Sequence, residues 1–187
     1  MMHSIKRLVA AWCVAAISLA GAAQAQDKPT QIDFGDGTLR LVAPETWQRK
    51  QPQSPIVEHE FAIAPAEGDD HPGRMTLMAA GGGAQANIER WYGQFTQPDG
   101  GNTSDRAKVK KLQVAGDAVQ VVDISGTYRD QRGPNAPAVE RSKYRMLAAI
   151  IPSKAAGTYY LKFYGPERTV AAQEPAFMKM IEGLERK

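Results

Sequence analysis

Apolar and polar positions alternate along most of this chain, in short runs separated by Gly, Pro and Asp. Ile32-Asp33-Phe34 and Thr38 to Val42 flank Gly35-Asp36-Gly37, which predicts two short strands joined by a turn. Pro44-Glu45-Thr46-Trp47 ends the second strand, and Pro52 and Pro55 keep the next stretch irregular. Trp47 is expected to plug the core, because an indole buries a large area in a small domain. Ile56 to Ile63 places Ile56, Glu58 and Glu60 on one side and Val57, His59, Phe61 and Ile63 on the other, and pairs in this reading with Arg74 to Ala79 as a hairpin. Its connection, Ala64 to Gly73, is acidic and rich in Pro and Gly, as an exposed loop should be.

After Gly81-Gly82-Gly83 the period changes: Ile88, Trp91, Tyr92 and Phe95 fall at i, i+3, i+4 and i+7, which predicts an amphipathic helix over Ala84 to Phe95 with its aromatic stripe on a sheet. Gln97 to Arg106 reads as a polar loop, and Lys108 to Val114 with Ala118 to Tyr128 as a second hairpin. Val119 to Ile124 is apolar on both sides of the pleat and Met146 to Ile151 is apolar without interruption, so these strands should be covered on both faces. Between them Arg129 to Lys143, with Gly133, Pro134 and Pro137, reads as a long loop. Tyr159 to Tyr164 is the last strand, expected to break at Gly165-Pro166. A closing helix carries Phe177, Ile181 and Leu184 on one stripe; Pro175 should either kink it or hand over from a short first turn to a second helix.

The first 25 residues have a different character. Lys6 and Arg7 precede an apolar run from Leu8 to Ala23, and Ala23-Gln24-Ala25 supplies the small residues of a signal-peptidase site, which predicts export, cleavage before Gln26 and no retained membrane anchor. Cys13, the only cysteine, leaves with this segment. The mature chain, residues 26–187, therefore has no disulfide to make in an oxidising compartment and must be stabilised by a core. A domain of about 150 residues buries roughly 70% of the surface its unfolded chain exposes, enough for one domain without a staple. The formal charge of +3 falls to +1 in the mature chain, with 21 basic against 20 acidic residues, and gives no reason to expect nucleic-acid or acidic-membrane binding.

Paired strands, a helix in the middle and a helix at the end imply an α+β fold: a single-domain α/β/α sandwich with a mainly antiparallel sheet and helices on both faces. The order of elements, the turn from Pro44 to Trp47, and Tyr160 through Leu184 resemble the PsbP/Mog1-like α/β/α sandwich in its small secreted bacterial versions of unknown function, over most of residues 32 to 186. Eukaryotic members of that superfamily are non-catalytic, one type assisting an oxygen-evolving complex and another binding a small GTPase. The resemblance implies a binding or assembly role; the photosynthetic members' partner-binding amino-terminal extension is not recognisable in the short lead here and no functional residue of the GTPase-binding members aligns, so neither partner carries over.

Chemical motifs point the same way. The chain has no Gly-x-Ser-x-Gly elbow, no His-Glu-x-x-His pair, no Walker loop and no mature cysteine. Gly81 to Gly83 could present amides to a phosphate, but no Lys-Ser/Thr follows, and a strand-to-helix connector is favoured. His59 lies between Glu58 and Glu60 and His71 follows Asp69-Asp70, so each has carboxylates at hand for a metal. His59 is four residues down its strand from the loop, on the order of 13 Å at about 3.3 Å per residue, and transition-metal sites want three or four converging ligands. His59 is read as a half-buried packing residue, Asp69-Asp70-His71 as a solvated loop tip, and no metal or cofactor is expected.

Two basic clusters remain. Arg106, Lys108, Lys110 and Lys111 read as a charge-blunted edge strand or as an anionic-ligand site. Arg129, Arg132, Arg141, Lys143 and Arg145, in and beside the long loop, are the candidate partner-binding residues, since long loops in compact domains are functional or disordered and Arg is enriched at interfaces. The sequence thus predicts a periplasmic or secreted, non-enzymatic binding or assembly protein with a protein partner in the cell envelope. The alternative is a small-ligand or metal carrier using Tyr159, Tyr160, Phe163 and Tyr164 or the histidine region.

Overall fold

The computed structural model describes residues 30–131, 136–154 and 157–187. Strands β1 (Thr30–Phe34) and β2 (Leu39–Ala43) form the expected first hairpin, turning where Gly35, Asp36 and Gly37 all take positive φ and Thr38 Oγ1 donates to Gly35 O at 2.5 Å. Strand β3 (Trp47–Lys50) has no clear signal in the sequence, being one apolar residue followed by three polar ones. It pairs antiparallel with β4 (His59–Ile63), which pairs with β5 (Gly73–Ala79). The predicted start of β4 at Ile56 is corrected: Ile56 is 66% exposed and the strand begins at His59.

Helix α1 (Gly83–Tyr92) starts after Gly82 with no side-chain cap. The buried Asn87 amide instead donates to the carbonyls of Gly81 and Gly83, at 3.0 and 2.7 Å, and secures the glycine connector. The helix ends before Phe95, which lies in the two-residue strand β6 (Phe95–Thr96). Then follow β7 (Lys108–Val114), β8 (Asp117–Asp130), β9 (Val139–Ser153), β10 (Gly157–Pro166), α2 (Glu167–Glu182) and β11 (Glu185–Arg186). One eight-stranded antiparallel sheet has the order β3-β4-β5-β10-β9-β8, with β6 and β7 both on the outer edge of β8; β1, β2 and β11 form a second, three-stranded sheet.

The pleat divides the core in two. Phe61, Leu77, Val121, Leu147, Leu161 and Phe163 face α2 and the small sheet, where they meet Leu41, Val170, Phe177 and Ile181. Val122, Ile124, Met146, Ala148, Ile150 and Tyr160 face the other way, against Ile88 and Trp91 of α1. This double cover is why Met146 to Ile151 carries no polar residue. The molecule is an α+β sandwich with a helix on each face of a mainly antiparallel sheet, as the pattern predicts.

Three expectations are overturned. Strand β10 does not break at Gly165-Pro166 but runs through both, paired with Arg145 and Tyr144. Gly165 is needed for close approach, since a Cβ there would lie 2.8 Å from Gly73 Cα. Pro175 does not hand over to a second helix: α2 is one element, and with Ala171 and Pro175 both exposed, water can replace the hydrogen bond that proline cannot make. The predicted loop from Arg129 to Lys143 is strand at both ends, Arg129–Asp130 closing β8 and residues 139–143 opening β9, with Arg129 paired to Glu140 and Tyr128 to Arg141. Its polar, Pro-containing composition hides a hairpin extension that projects past the core, where no apolar alternation is required.

Candidate functional site: a basic groove at the edge of the sheet

Because strand residues alternate between faces, the five candidate basic residues do not form one surface. Arg145 is on the α2 side, where it donates to both Asp123 carboxylate oxygens at 2.8 and 2.9 Å and to Glu174 at 2.8 Å. Its hydrogen bonds to Asp123 hold the guanidinium firmly charged. Arg141 shares the opposite face with its cross-strand partner Tyr128, lying 3.7 Å from Asp130 and 3.1 Å from Nε2 of His71. Arg129 is exposed on the hairpin, and Arg132 lies outside the described residues.

Lys143 is placed by a backbone irregularity. Between the pairs Gly126–Tyr144 and Tyr128–Arg141, β8 has one residue and β9 has two, Ser142 and Lys143, and Lys143 adopts a φ of 55°. This is a β-bulge, a device that re-aims a side chain at a sheet edge. The bulge brings Lys143 to a cavity of about 330 Å³ that is also lined by Arg106, Lys108, Asp123, Gly126 and Glu167. Gly126 keeps the floor low: a Cβ there would lie 2.7 Å from the Thr96 carbonyl oxygen and 2.9 Å from Gln97 Nε2, which donates to Ser125 O at 2.9 Å. Arg106 pairs with Asp99, and Asp123 with Arg145. Lys108 and Lys143 have no ion pair among the described residues, and both are exposed.

Arg106 and Lys108 of one basic stretch and Lys143 of the other, which the sequence keeps apart, therefore meet here, Lys108 through strand β7 and Lys143 through the bulge of β9. Chemically the groove presents the ammonium groups of Lys108 and Lys143 and the guanidinium of Arg106 to an anionic ligand, beside the Asp123 carboxylate that Arg145 holds in place and the exposed carboxylate of Glu167.

A second polar cluster, on the α1 side, carries no sequence signal except a lysine amid aromatic residues. Arg74 donates to both oxygens of Glu60 at 2.8 Å and to the Tyr164 hydroxyl at 2.7 Å. Lys162 Nζ donates to Gln94 Oε1 at 2.9 Å and lies 5.4 and 5.9 Å from the ring centroids of Tyr164 and Tyr128. Burial, and then the nearby charges of Arg90 and Arg74, push the Lys162 ammonium down to about 8, with Asp130 opposing. These groups satisfy one another and tie the end of α1 to β10.

The aromatic strand is core. Tyr159, Tyr160, Phe163 and Tyr164 are all buried, packing on Phe34, Trp91, Trp47 and Tyr128 respectively, so they form no ligand cage. His59 is half-buried as expected, its Nδ1 2.8 Å from Arg49 Nη1 and its Nε2 3.0 Å from Asp33 O. The solvated loop tip is corrected at Asp69, whose carboxylate accepts from the backbone and hydroxyl of Thr169 at the start of α2. Among the described residues no three His, Cys, Asp or Glu side chains gather as a metal site would require.

No family model matches the chain, and no curated protein matches it. Among solved structures it is similar to a protein of unknown function, PA94, from Pseudomonas aeruginosa, with 12% identity, a TM-score of 0.46 and coverage of 85% of this chain and 97% of that one. It is similar to a cyanobacterial PsbP from Synechocystis, with 9% identity, a TM-score of 0.48 and coverage of 92% and 99%. It is also similar to LpqN of Mycobacterium tuberculosis, involved in cell envelope biogenesis, with 13% identity, a TM-score of 0.45 and coverage of 84% and 89%. At these identities and TM-scores nothing of their function passes to this chain.

Proposed function

We propose that the protein is an exported, non-enzymatic binding protein of the cell envelope and that its basic groove engages an acidic segment of a partner protein. The observation that carries this reading is the convergence of Lys108 and Lys143 on one groove, neither with an ion pair among the described residues. Structural lysines are usually either solvated singly or paired, whereas two from distant segments in one concave site raise the local potential and favour an anionic partner. The groove's own carboxylates, Asp123 and Glu167, restrict where that partner's charges can sit. The export part of this reading is supported by the amino-terminal pattern of Lys6, Arg7, the apolar run and Ala23-Gln24-Ala25.

The test is capture from envelope extract by the mature domain, by a Lys108→Glu/Lys143→Glu variant and by a Lys50→Glu control on the opposite sheet edge, compared side by side by quantitative mass spectrometry. Proteins retained by the wild type and the control but lost from the double variant support the groove. Identical retention by all three overturns it.

A further inference from the structure

We infer that the partner binds by strand addition, as an extended acidic segment laid along the free edge of β7; this rests on the groove reading above and specifies its geometry. Strand β7 pairs with β8 through all seven of its residues, Lys108 with Asp123 to Val114 with Asp117. Among the described residues no strand pairs with its other edge. Lys108, Val109, Lys110 and Lys111 are all exposed, so neither face of this stretch is covered, and Val109 is one of the few large apolar side chains at the surface, 44% exposed. An edge with free backbone groups is a template for another strand.

The side chains say which strand. Lys108 and Lys110 lie on the face of Asp123 and Val121, the groove side, while Val109 and Lys111 lie on the face of Val122 and Gln120. An antiparallel segment reading Glu-Glu-Val-Glu would set an acid opposite Lys111, Lys110 and Lys108 and an apolar side chain opposite Val109. Directly opposed opposite charges stabilise a strand pair, and like charges oppose it. A second copy of this chain is thereby disfavoured as the occupant, because antiparallel β7 against β7 brings lysines together. The same lysines that protect the edge from indiscriminate pairing select for an acidic strand. The end of such a strand beside Lys108 meets the groove and Lys143.

The experiment titrates the isotopically labelled mature domain with a capped Thr-Glu-Glu-Val-Glu-Thr peptide, followed by amide chemical shifts and hydrogen exchange. Parallel titrations use the same peptide N-methylated at alternate residues and a Thr-Lys-Lys-Val-Lys-Thr control. The inference predicts shifts and slowed exchange along Lys108 to Lys111, an affinity loss of about tenfold or more on N-methylation, since the backbone donors carry the pairing, and no binding of the lysine peptide. Undiminished binding of the N-methylated peptide that is lost with Lys143→Glu overturns strand addition and leaves the groove reading standing. Absence of binding by the acidic peptide, or equal binding of the lysine peptide, overturns both.

Discussion

The carboxylate of Asp69 accepts two hydrogen bonds from Thr169, one from the backbone N–H at 2.9 Å and one from the hydroxyl at 2.6 Å. Thr169 is the third residue of α2, and the residue before the helix, Pro166, has no side chain that can cap it. Asp69 therefore caps the helix from a distant loop, and Thr169 Oγ1 fastens that loop in return by accepting from Ala66 N at 3.0 Å. A negative charge here also meets the positive end of the helix dipole. Asp69→Ala is expected to cost about 1–2 kcal/mol, while the exposed neighbour Asp70→Ala should stay within about 0.5 kcal/mol. Urea melts of the three proteins decide it, and equal midpoints would mean that the cap contributes nothing.

The terminal helix closes the larger half of the core. Phe177 is fully buried, its ring centroid 6.1 Å from that of Phe163 in β10. Phe177→Ala should cost about 3–5 kcal/mol, the usual loss for deleting a large buried ring and leaving a cavity. Denaturant melts that show a loss well under about 1 kcal/mol would mean that α2 is not docked through this residue.

Lys162 makes stability depend on pH in a direction opposite to that of a surface ion pair. Its folded-state value of about 8 lies below the ordinary lysine value of 10.5, so between these limits the unfolded chain binds the extra proton. Stability should accordingly rise with pH from about 8 upward. The rise is bounded above pH 10, where burial of Tyr128 keeps its phenol protonated in the folded state and the sign reverses. Chemical denaturation at several pH values between 8 and 10 should show the increase in the wild type and a flat profile in Lys162→Met.

Much of this architecture is legible in the sequence because burial leaves a periodic record. The double-sided strand from Met146 to Ile151, the stripe of Ile88 and Trp91, and that of Phe177 and Ile181 all report the faces they cover. Strand β3 puts only Trp47 into the core and the outer ends of β8 and β9 extend past it, so their solvent-facing residues are unconstrained in polarity and leave no such record. The groove is illegible for another reason. The position of Lys143 depends on a one-residue bulge and that of Lys108 on strand pairing, and nothing local in the chain relates the two. Asp69 was likewise invisible as a cap, since its partner is distant in sequence.

Export is open to a direct check. The protein expressed with its natural amino terminus should be recovered from the envelope compartment with Gln26, free or cyclised, as its first residue by intact-mass measurement. Recovery of the full chain in the membrane fraction would contradict this.

The central claim, that the groove formed by Lys108 and Lys143 binds an acidic partner, is tested most directly by measuring the affinity of the mature domain for its captured partner at several salt concentrations, with wild type and Lys108→Glu/Lys143→Glu in parallel. Charge-driven binding weakens as ions screen it, over a range from about 50 to about 200 mM salt. The account predicts a steep fall of wild-type affinity with salt, and a loss of about tenfold or more in the double variant at low salt with an unchanged melting temperature. An affinity that neither depends on salt nor changes with the double substitution would contradict it.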